Sequence, residues 1–255
     1  MELNNTDLIL DANLRAYYRM ESGALTTDDS GNSRTLTNSG SVAEALAKWG
    51  NGGDFGASNS SKFLYRNANI WSGNQIANLS MGGWFKVRTE PGTGVVFNLL
   101  DTETTTLSNN ASYMGGTLYY LDSSGTKRVG SRFYRSGGSG TDQVNYDVEL
   151  GTDEFHLLGI TITSSTTLKL YLDGVLVDTQ VHTGSMRSPG DAINYQNCIG
   201  RYHANTATQY ASVYADDVFF IEKTLSSSEW LELYRTGVNK FNPILFGGGR
   251  GFTLG

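Results

Sequence analysis

The chain has 255 residues, a formal net charge of −6 and a pI near 5.1. Phosphate contacts need clustered Lys and Arg, so this charge disfavours a nucleic-acid partner, and no apolar run approaches the roughly 18 residues of a membrane span. With 31 Gly, 14 Tyr, 11 Phe and only 3 Pro, the composition favours strands and turns over long helices.

The single cysteine, Cys198, excludes an intramolecular disulfide, which many secreted domains of this size contain. Residues 1–7 lack both the basic and the apolar part of a signal peptide. We therefore expect a protein that folds in a reducing cytoplasm. No fixed repeat or change of composition divides the chain before its glycine-rich end, so we expect one domain over 1–239 and a tail over 240–255.

The first predicted elements are a strand from Leu14 to Met20 and a loop around residues 28–32. The loop has oxygen-bearing side chains at Asp28, Ser30 and Asn32. One interpretation is an Asx-type turn whose side chains bond their own backbone. The other is a calcium site, because oxygen ligands at i, i+2 and i+4 suit a hard cation.

The middle of the chain alternates in hydrophobicity around Trp84, which we interpret as a core residue rather than a ligand-stacking one. The stretch from Val42 to Lys48 is predicted to form a short helical turn. Tyrosines are interleaved with Gly and Ser over 113–150. They suit an adhesive surface, where tyrosine offers a flat ring with a polar tip, and equally an ordinary strand, so both interpretations stay open. For a glycan ligand we predict contacts from Tyr113, Tyr120, Tyr134, Tyr146, Tyr202 and Tyr210.

The clearest pattern runs from Phe155 to Thr179. Apolar residues at 158, 160 and 162 alternate in one run and leucines at 168, 170 and 172 in the next, as in strands with one buried face. Asp173-Gly174 follows at once and predicts a two-residue type I′ turn. The register expected from this turn pairs Leu172 with Val175, Leu170 with Val177, and Lys169 with Asp178.

A helix is predicted after a closing strand over Val213 to Ile221. Ser226 and Glu229 have the spacing of a capping box, and Gly237 is placed to end the helix. The apolar residues between them share one helical face.

Three stretches resemble one known family. Residues 168–177 read Leu-Lys-Leu-Tyr-Leu-Asp-Gly-Val-Leu-Val, residues 14–21 read Leu-Arg-Ala-Tyr-Tyr-Arg-Met-Glu, and residues 216–221 read Asp-Asp-Val-Phe-Phe-Ile. They are similar to the central meander, opening strand and closing strand of laminin-G-like domains in the concanavalin A-like lectin and glucanase superfamily. The resemblance implies an all-β, antiparallel jelly-roll sandwich with one short C-terminal helix. It says little about the ligand, because this family includes lectins, adhesins, hydrolases and structural modules.

The family fold also brings the closing strand near the 28–32 loop. The resemblance thus adds two carboxylates to the calcium interpretation of that loop. The resulting candidate ligands of a structural Ca²⁺ are Asp28, Asp29, Ser30, Asn32, Asp216 and Asp217.

Signs of catalysis are absent from the sequence. Glucanases of this superfamily place carboxylates at alternating positions of one strand, whereas the nearest pair here, Asp101 and Glu103, is followed by threonines and is interpreted as loop. The histidines at 156, 182 and 203 lack zinc-site spacing, and there is no nucleophile elbow, phosphate loop or dinucleotide motif. We therefore expect a protein that is not an enzyme.

Beyond Asn239, apolar residues alternate irregularly with glycines and show no periodicity. Two interpretations fit: the tail packs on its own domain, or it docks to another subunit, which we favour because so many glycines disfavour a self-supporting element. The docking residues are then Phe241, Ile244, Leu245, Phe246, Phe252 and Leu254.

Together these features predict a surface binding module with possible glycan recognition. Domains of this family usually act outside cells, yet an export signal and disulfides are missing, and a virion protein made in a host cytoplasm reconciles the two. We therefore expect an oligomeric subunit on a phage capsid or tail. The alternatives are a secreted bacterial carbohydrate-binding or adhesion domain at the cell surface, and a glycoside hydrolase or lyase with an unfamiliar site.

Overall fold

The computed structural model describes residues 8–57, 60–71, 78–102, 116–134, 141–163, 167–181, 197–202 and 209–237. A short 3₁₀ helix at Leu8–Leu10 precedes the strands. The strands, in chain order, are β1 Leu14–Tyr18, β2 Thr37–Ser39, β3 Ala43–Ala47, β4 Gly50–Asp54, β5 Phe63–Arg66, β6 Asn78–Val87, β7 Val96–Asp101, β8 Gly116–Ser123, β9 Thr126–Tyr134, β10 Thr141–Asp147, β11 His156–Thr163, β12 Thr167–Leu172, β13 Val175–Val181, β14 Asn197–Ile199 and β15 Val213–Ile221. One α-helix, α1, follows at Ser227–Thr236.

These strands form two antiparallel sheets, which confirms the predicted sandwich. Sheet A has the order β13-β12-β11-β6-β15-β4-β3, with β1 also paired to β15. Sheet B has the order β10-β9-β8-β7-β14-β5-β2. None of the helices in the described ranges has the length and apolarity needed to span a membrane.

The hairpin from β11 to β13 forms as predicted at its turn and departs from the prediction beyond it. Asp173 and Gly174 both have positive φ, 51° and 78°, and Leu172 pairs with Val175. A β-bulge between Leu170 and Tyr171 then shifts the register by one residue. The predicted partners of Leu170 and Lys169 are therefore wrong, because Leu170 lies opposite Asp178 and Lys169 opposite Thr179.

The predicted helical turn at Val42–Lys48 is also wrong. Residues 43–47 form strand β3 and pair with β4, in which three of five residues are glycine. A Cβ atom on Gly52 would lie 2.6 Å from Ala47 Cβ, so the two strands fit together only because these residues are small. Pairing with a glycine-rich partner outweighs the helix propensity of an alanine-rich segment.

The core between the sheets holds the alternating residues of the β11–β12 hairpin, and Ile160, Ile162, Leu168 and Leu170 are fully buried. A second apolar cluster lies on the outer face of sheet A, beneath α1. There Trp84 is fully buried, as predicted, and Trp230 of α1 stacks on Tyr171 with ring centroids 5.0 Å apart.

The helix begins and ends as predicted. The Ser226 hydroxyl accepts a hydrogen bond from Glu229 N, and the Glu229 carboxylate accepts one from Ser226 N. At the other end Gly237 has φ 74° and its N–H donates to Leu233 O at 2.8 Å. These caps fix both ends of α1, which covers part of the outer face of sheet A.

Trp230 reaches the backbone of sheet A because two facing residues there are glycines, Gly82 and Gly159. A Cβ on Gly159 would lie 2.0 Å from Trp230 Cη2, and one on Gly82 would lie 2.9 Å from the same atom. The indole N–H donates to Thr161 Oγ1 at 3.0 Å, so the ring is fixed in its plane.

We expect Gly159→Ala to lower the free energy of unfolding by about 1–3 kcal/mol, because the added methyl overpacks the contact with Trp230. Gly92→Ala is the matched control, since a Cβ there meets nothing closer than 3.9 Å. Urea unfolding of both variants measures the difference. Equal stabilities would contradict this account of the helix contact.

His156, at the start of β11, joins this strand to the turn at Asp173 and to Leu150. Its Nδ1 lies 2.8 Å from Asp173 Oδ2 and its Nε2 lies 3.1 Å from Leu150 O, so both ring nitrogens face acceptors. The hydrogen bond to Asp173 raises the pKa of His156 above its usual value of 6.5. This geometry agrees with the structural role expected for His156.

The His156 contact makes a pH-dependent contribution to stability. A raised folded-state pKa means that the contribution is complete below pH 6.5 and is lost as the pH rises through the folded pKa. We expect the stability difference between wild type and His156→Gln to be larger at pH 5 than at pH 9 in denaturant titrations. Asp173→Asn should reduce the same pH dependence, and a difference that does not change with pH would refute the assignment.

Candidate functional site

The outer face of sheet B, which points away from sheet A, is polar and aromatic. Strand pairing places six residues in one row across it: Tyr65, Cys198, Asp101, Thr117, Arg132 and Gln143. At ~4.8 Å per strand, Tyr65 and Arg132 are about 19 Å apart along this row. Cys198, Asp101 and Thr117 in the middle of the row are buried, so the exposed groups lie at its two ends.

One end of the face is built on Tyr119. Its hydroxyl donates to Asn145 Oδ1 at 2.9 Å and accepts from Gln143 Nε2 at 2.7 Å. The Arg132 guanidinium carbon lies 5.3 Å from the centroid of the Tyr119 ring. We call Tyr119, Arg132, Gln143 and Asn145 the Arg132 cluster.

The Arg132 cluster depends on one glycine. Gly130 lies opposite Tyr119, and a Cβ there would approach the tyrosine ring to 2.6 Å. The ring therefore lies flat on the sheet and is only 2% exposed, while Arg132 and Gln143 above it are exposed. Burial raises the pKa of Tyr119, so its hydroxyl stays protonated and serves as a donor.

The other end of the face is aromatic. The Phe63 ring lies 5.4 Å from Tyr65 and 6.1 Å from Tyr210, and the Arg201 guanidinium lies 4.4 Å above Phe63. Arg201 and Tyr210 are joined by an isolated β-bridge. We call Phe63, Tyr65, Tyr210 and Arg201 the Tyr210 cluster.

A polar contact lies between the two clusters. Asn98 on β7 donates from Nδ2 to Gln209 Oε1 at 3.0 Å. Asn98 lies directly opposite Tyr119, and Gln209 precedes Tyr210 in sequence. The buried Asn98 and its partner Gln209 therefore lie between the two clusters.

The tyrosines predicted to contact a glycan lie in different parts of the structure. Tyr210 belongs to the outer face, and Tyr202 adjoins it at the half-buried bridge of Arg201. Tyr146 is 39% exposed on the edge strand β10. Tyr113 and the side chain of Tyr134 lie outside the described residues.

The prediction that Tyr120 contacts a ligand is wrong. Its side chain is fully buried in the core between the sheets, where its hydroxyl donates to Glu90 Oε2 at 2.8 Å and accepts from Leu150 N at 3.2 Å. Alternation along β8 directs Leu118 and Tyr120 inward and Tyr119 outward. That alternation with Leu118 was the signal that could have identified Tyr119 from the sequence.

The acids on this face do not form a glycosidase pair. Of the described outer-face residues, Asp101 and Asp147 are acidic, and the register places them three strands and four residues apart, about 19 Å. Glycosidase carboxylates lie roughly 5–10 Å apart. Asp101 and Asp147 are therefore too far apart to act together as such a pair.

The 28–32 loop has the geometry of an Asx-type turn. Asp28 Oδ1 accepts hydrogen bonds from Tyr17 N and Ser30 N, both at 3.0 Å, and its Oδ2 accepts one from Arg34 N at 2.8 Å. Ser30 and Asn32 donate to carbonyl oxygens of β1. These side chains fasten the loop to β1.

Asp216 and Asp217 lie at a bulge in β15 and are almost fully buried. Asp216 Oδ2 accepts from Trp49 N at 2.9 Å, and Asp217 Oδ1 accepts from the Tyr17 hydroxyl. Burial, with the neighbouring charge of Asp217, raises the pKa of Asp216 to about 7. Since Tyr17 bonds Asp28 through its backbone and Asp217 through its hydroxyl, a tyrosine side chain separates the loop from these acids.

The candidate calcium ligands thus fit one ion poorly. In the described ranges, no three His, Cys, Asp or Glu side chains gather as a metal site, and the Asp28 oxygens accept backbone hydrogen bonds. Calcium at this loop stays a prediction. Calorimetric titration of chelator-treated protein tests it: binding heat and a raised melting temperature would support the site, and their absence would reject it.

The predicted docking tail lies outside the described residues, which end at Gly237. A Cβ built on Gly237 would lie 3.2 Å from Trp49 Nε1 and 3.5 Å from Asp217 Oδ2. The described chain therefore ends beside Trp49, which is 38% exposed.

A family model of laminin G type, described as the concanavalin A-like lectin/glucanases superfamily, matches residues 55–229. The chain belongs to this superfamily. None of the functionally curated proteins matches it.

Solved structures of toxin binding domains share the superfamily fold. The binding domain of paraclostridial mosquitocidal protein 1 matches with TM-score 0.65 and 15% identity, over 87% of this chain and 52% of that one. The binding domain of botulinum neurotoxin DC in complex with SialylT matches with TM-score 0.65 and 12% identity, over 88% and 51%. The same neurotoxin domain in complex with rat synaptotagmin II gives TM-score 0.65 and 13% identity, over 88% and 51%.

At these identities the similarity establishes the fold. The chain spans about half the length of these toxin binding domains. It is a lectin-like domain of the superfamily.

Proposed function

We propose that this domain binds glycans on the outer face of sheet B without cleaving them. The observation that carries the proposal is the pair of clusters on that face, in which the half-buried rings of Tyr65 and Tyr210 lie at one end and the exposed Arg132 and Gln143 at the other. Sugars present apolar ring faces and hydroxyl groups together. A site with flat aromatic surface and fixed donors and acceptors matches both properties.

The rigidity of the site supports this proposal. Every residue of the Arg132 cluster lies on a strand, and Tyr119, Gln143 and Asn145 already bond one another at 2.7–3.0 Å. A preformed site loses little conformational entropy when it binds. Binding groups on paired strands are also held more firmly than groups on loops.

The lectin-like neighbours are consistent with the same class of ligand. One neurotoxin binding domain was solved with SialylT and another with N-acetylneuraminic acid. The ligands belong to those proteins, which are about twice as long as the matched region. They support glycan binding here at the level of ligand class.

We expect Tyr210→Ala to weaken glycan binding about 2–12-fold, the effect of losing an aromatic contact of roughly 0.5–1.5 kcal/mol. A glycan array finds the ligand, and calorimetry with the best hit measures the change. Tyr234→Ala is the control, because Tyr234 is 38% exposed but lies on α1, over sheet A. Absence of any bound glycan, or equal effects of both variants, would overturn the proposal.

We further propose that the domain is a subunit of a virion surface, docked through residues 241–255. Support comes from the sequence: an apolar glycine-rich tail, and one cysteine, which is buried and unpaired. A secreted bacterial binding or adhesion domain is the alternative. Deleting residues 241–255 should leave a folded monomer that no longer co-sediments with particles, and unchanged association would reject tail docking.

A further inference from the structure

Arg132 is an exposed cation on the outer face of sheet B. The chain as a whole carries a formal charge of −6, yet an exposed arginine lies on the outer face of sheet B. Its backbone N–H donates to Thr117 Oγ1 at 3.3 Å, and its guanidinium rests over the Tyr119 ring. Both the strand position and the side-chain plane are therefore set before a ligand arrives.

The acids near Arg132 are engaged elsewhere. Asp147 Oδ1 lies 3.1 Å from Arg128 Nε, an ion pair without hydrogen-bond geometry. Asp101 is two strands away and fully buried. The Asp178 carboxylate, which lies against Asn145, accepts backbone hydrogen bonds from Asn145 N at 2.8 Å and Thr179 N at 2.7 Å. Among the described residues no carboxylate forms an ion pair with Arg132, so this cation is directed outward without an acidic partner.

Neighbouring groups complete a site for an acidic sugar. Gln143 lies directly opposite Arg132 and is exposed, and Asn145 is half-buried two residues further along β10. Their amides already bond Tyr119 and each other through Gln143 Nε2 and Asn145 Oδ1. The Gln143 carbonyl and the Asn145 NH₂ take no part in that triangle and are available for sugar hydroxyls.

We infer that the Arg132 cluster selects glycans that carry a carboxylate on the sugar. This inference rests on the proposed glycan-binding function. A planar guanidinium presents two parallel N–H groups that match a carboxylate, which an ammonium group cannot do. The Tyr119 ring orients that fork, and Arg132 determines the specificity.

Tetragalacturonate and its full methyl ester form the first probe pair, because esterification removes the carboxylate charges and keeps the sugar rings and linkages. Sialyllactose and lactose form the second, which separates a terminal acid from a uronic chain. Calorimetry at low salt should show at least one acid bound about tenfold or more tightly than its neutral partner, the effect of a charge-assisted hydrogen bond. The preference should decrease as salt is added.

Arg132→Gln should abolish the preference for the acid while neutral-sugar affinity changes less than twofold, and Arg132→Lys should restore it only in part. Arg128→Gln, on the same strand and face, is the matched control and should keep the preference. If acidic and neutral probes bind equally to wild type, or Arg132→Gln weakens both alike, the carboxylate inference is wrong and glycan binding stands. If no glycan binds at all, the proposed function itself fails.

Discussion

The contact between Trp230 and the paired glycines of sheet A determines which surface of this sandwich is left for a ligand. An indole ring fully buried against Gly82 and Gly159 brings α1 onto the sheet, and its N–H is satisfied by Thr161. The Ser80 hydroxyl bonds the Thr161 hydroxyl and donates to the Lys223 carbonyl, so these two hydroxyls under the helix are paired. With that face covered, the outer face of sheet B is the polar and aromatic surface of the described domain.

Much of the fold was predictable because its signals are local. The leucines of β12, the turn at Asp173-Gly174 and the capping box at Ser226 each depend on residues a few positions apart, and all three formed as predicted. The bulge after Leu170 and the strand at 43–47 were not predictable in this way. Each depends on how the segment pairs with other strands, which the residues of the segment alone do not determine.

The candidate site was predictable only in part, for a related reason. The prediction of tyrosines was correct in residue type, because Tyr210 lies on the outer face of sheet B. Tyr120, however, lies in the core between the sheets, and its neighbour Tyr119 lies on the outer face. A shift of one residue reverses the face of a strand, so residue type without register cannot assign a surface. Arg132 and Gln143 gave no sequence signal, because their importance comes from meeting Tyr119 across three strands.

The bulge in the β12–β13 hairpin has a consequence for self-association. It turns Asp178 toward strand β10, where its Oδ2 accepts the backbone N–H of Asn145 at 2.8 Å. An exposed backbone N–H at the margin of a sheet is a point at which a foreign strand can add. Here a carboxylate from the opposite layer occupies that position, so the Asn145 N–H is not available to a foreign strand that would add to β10.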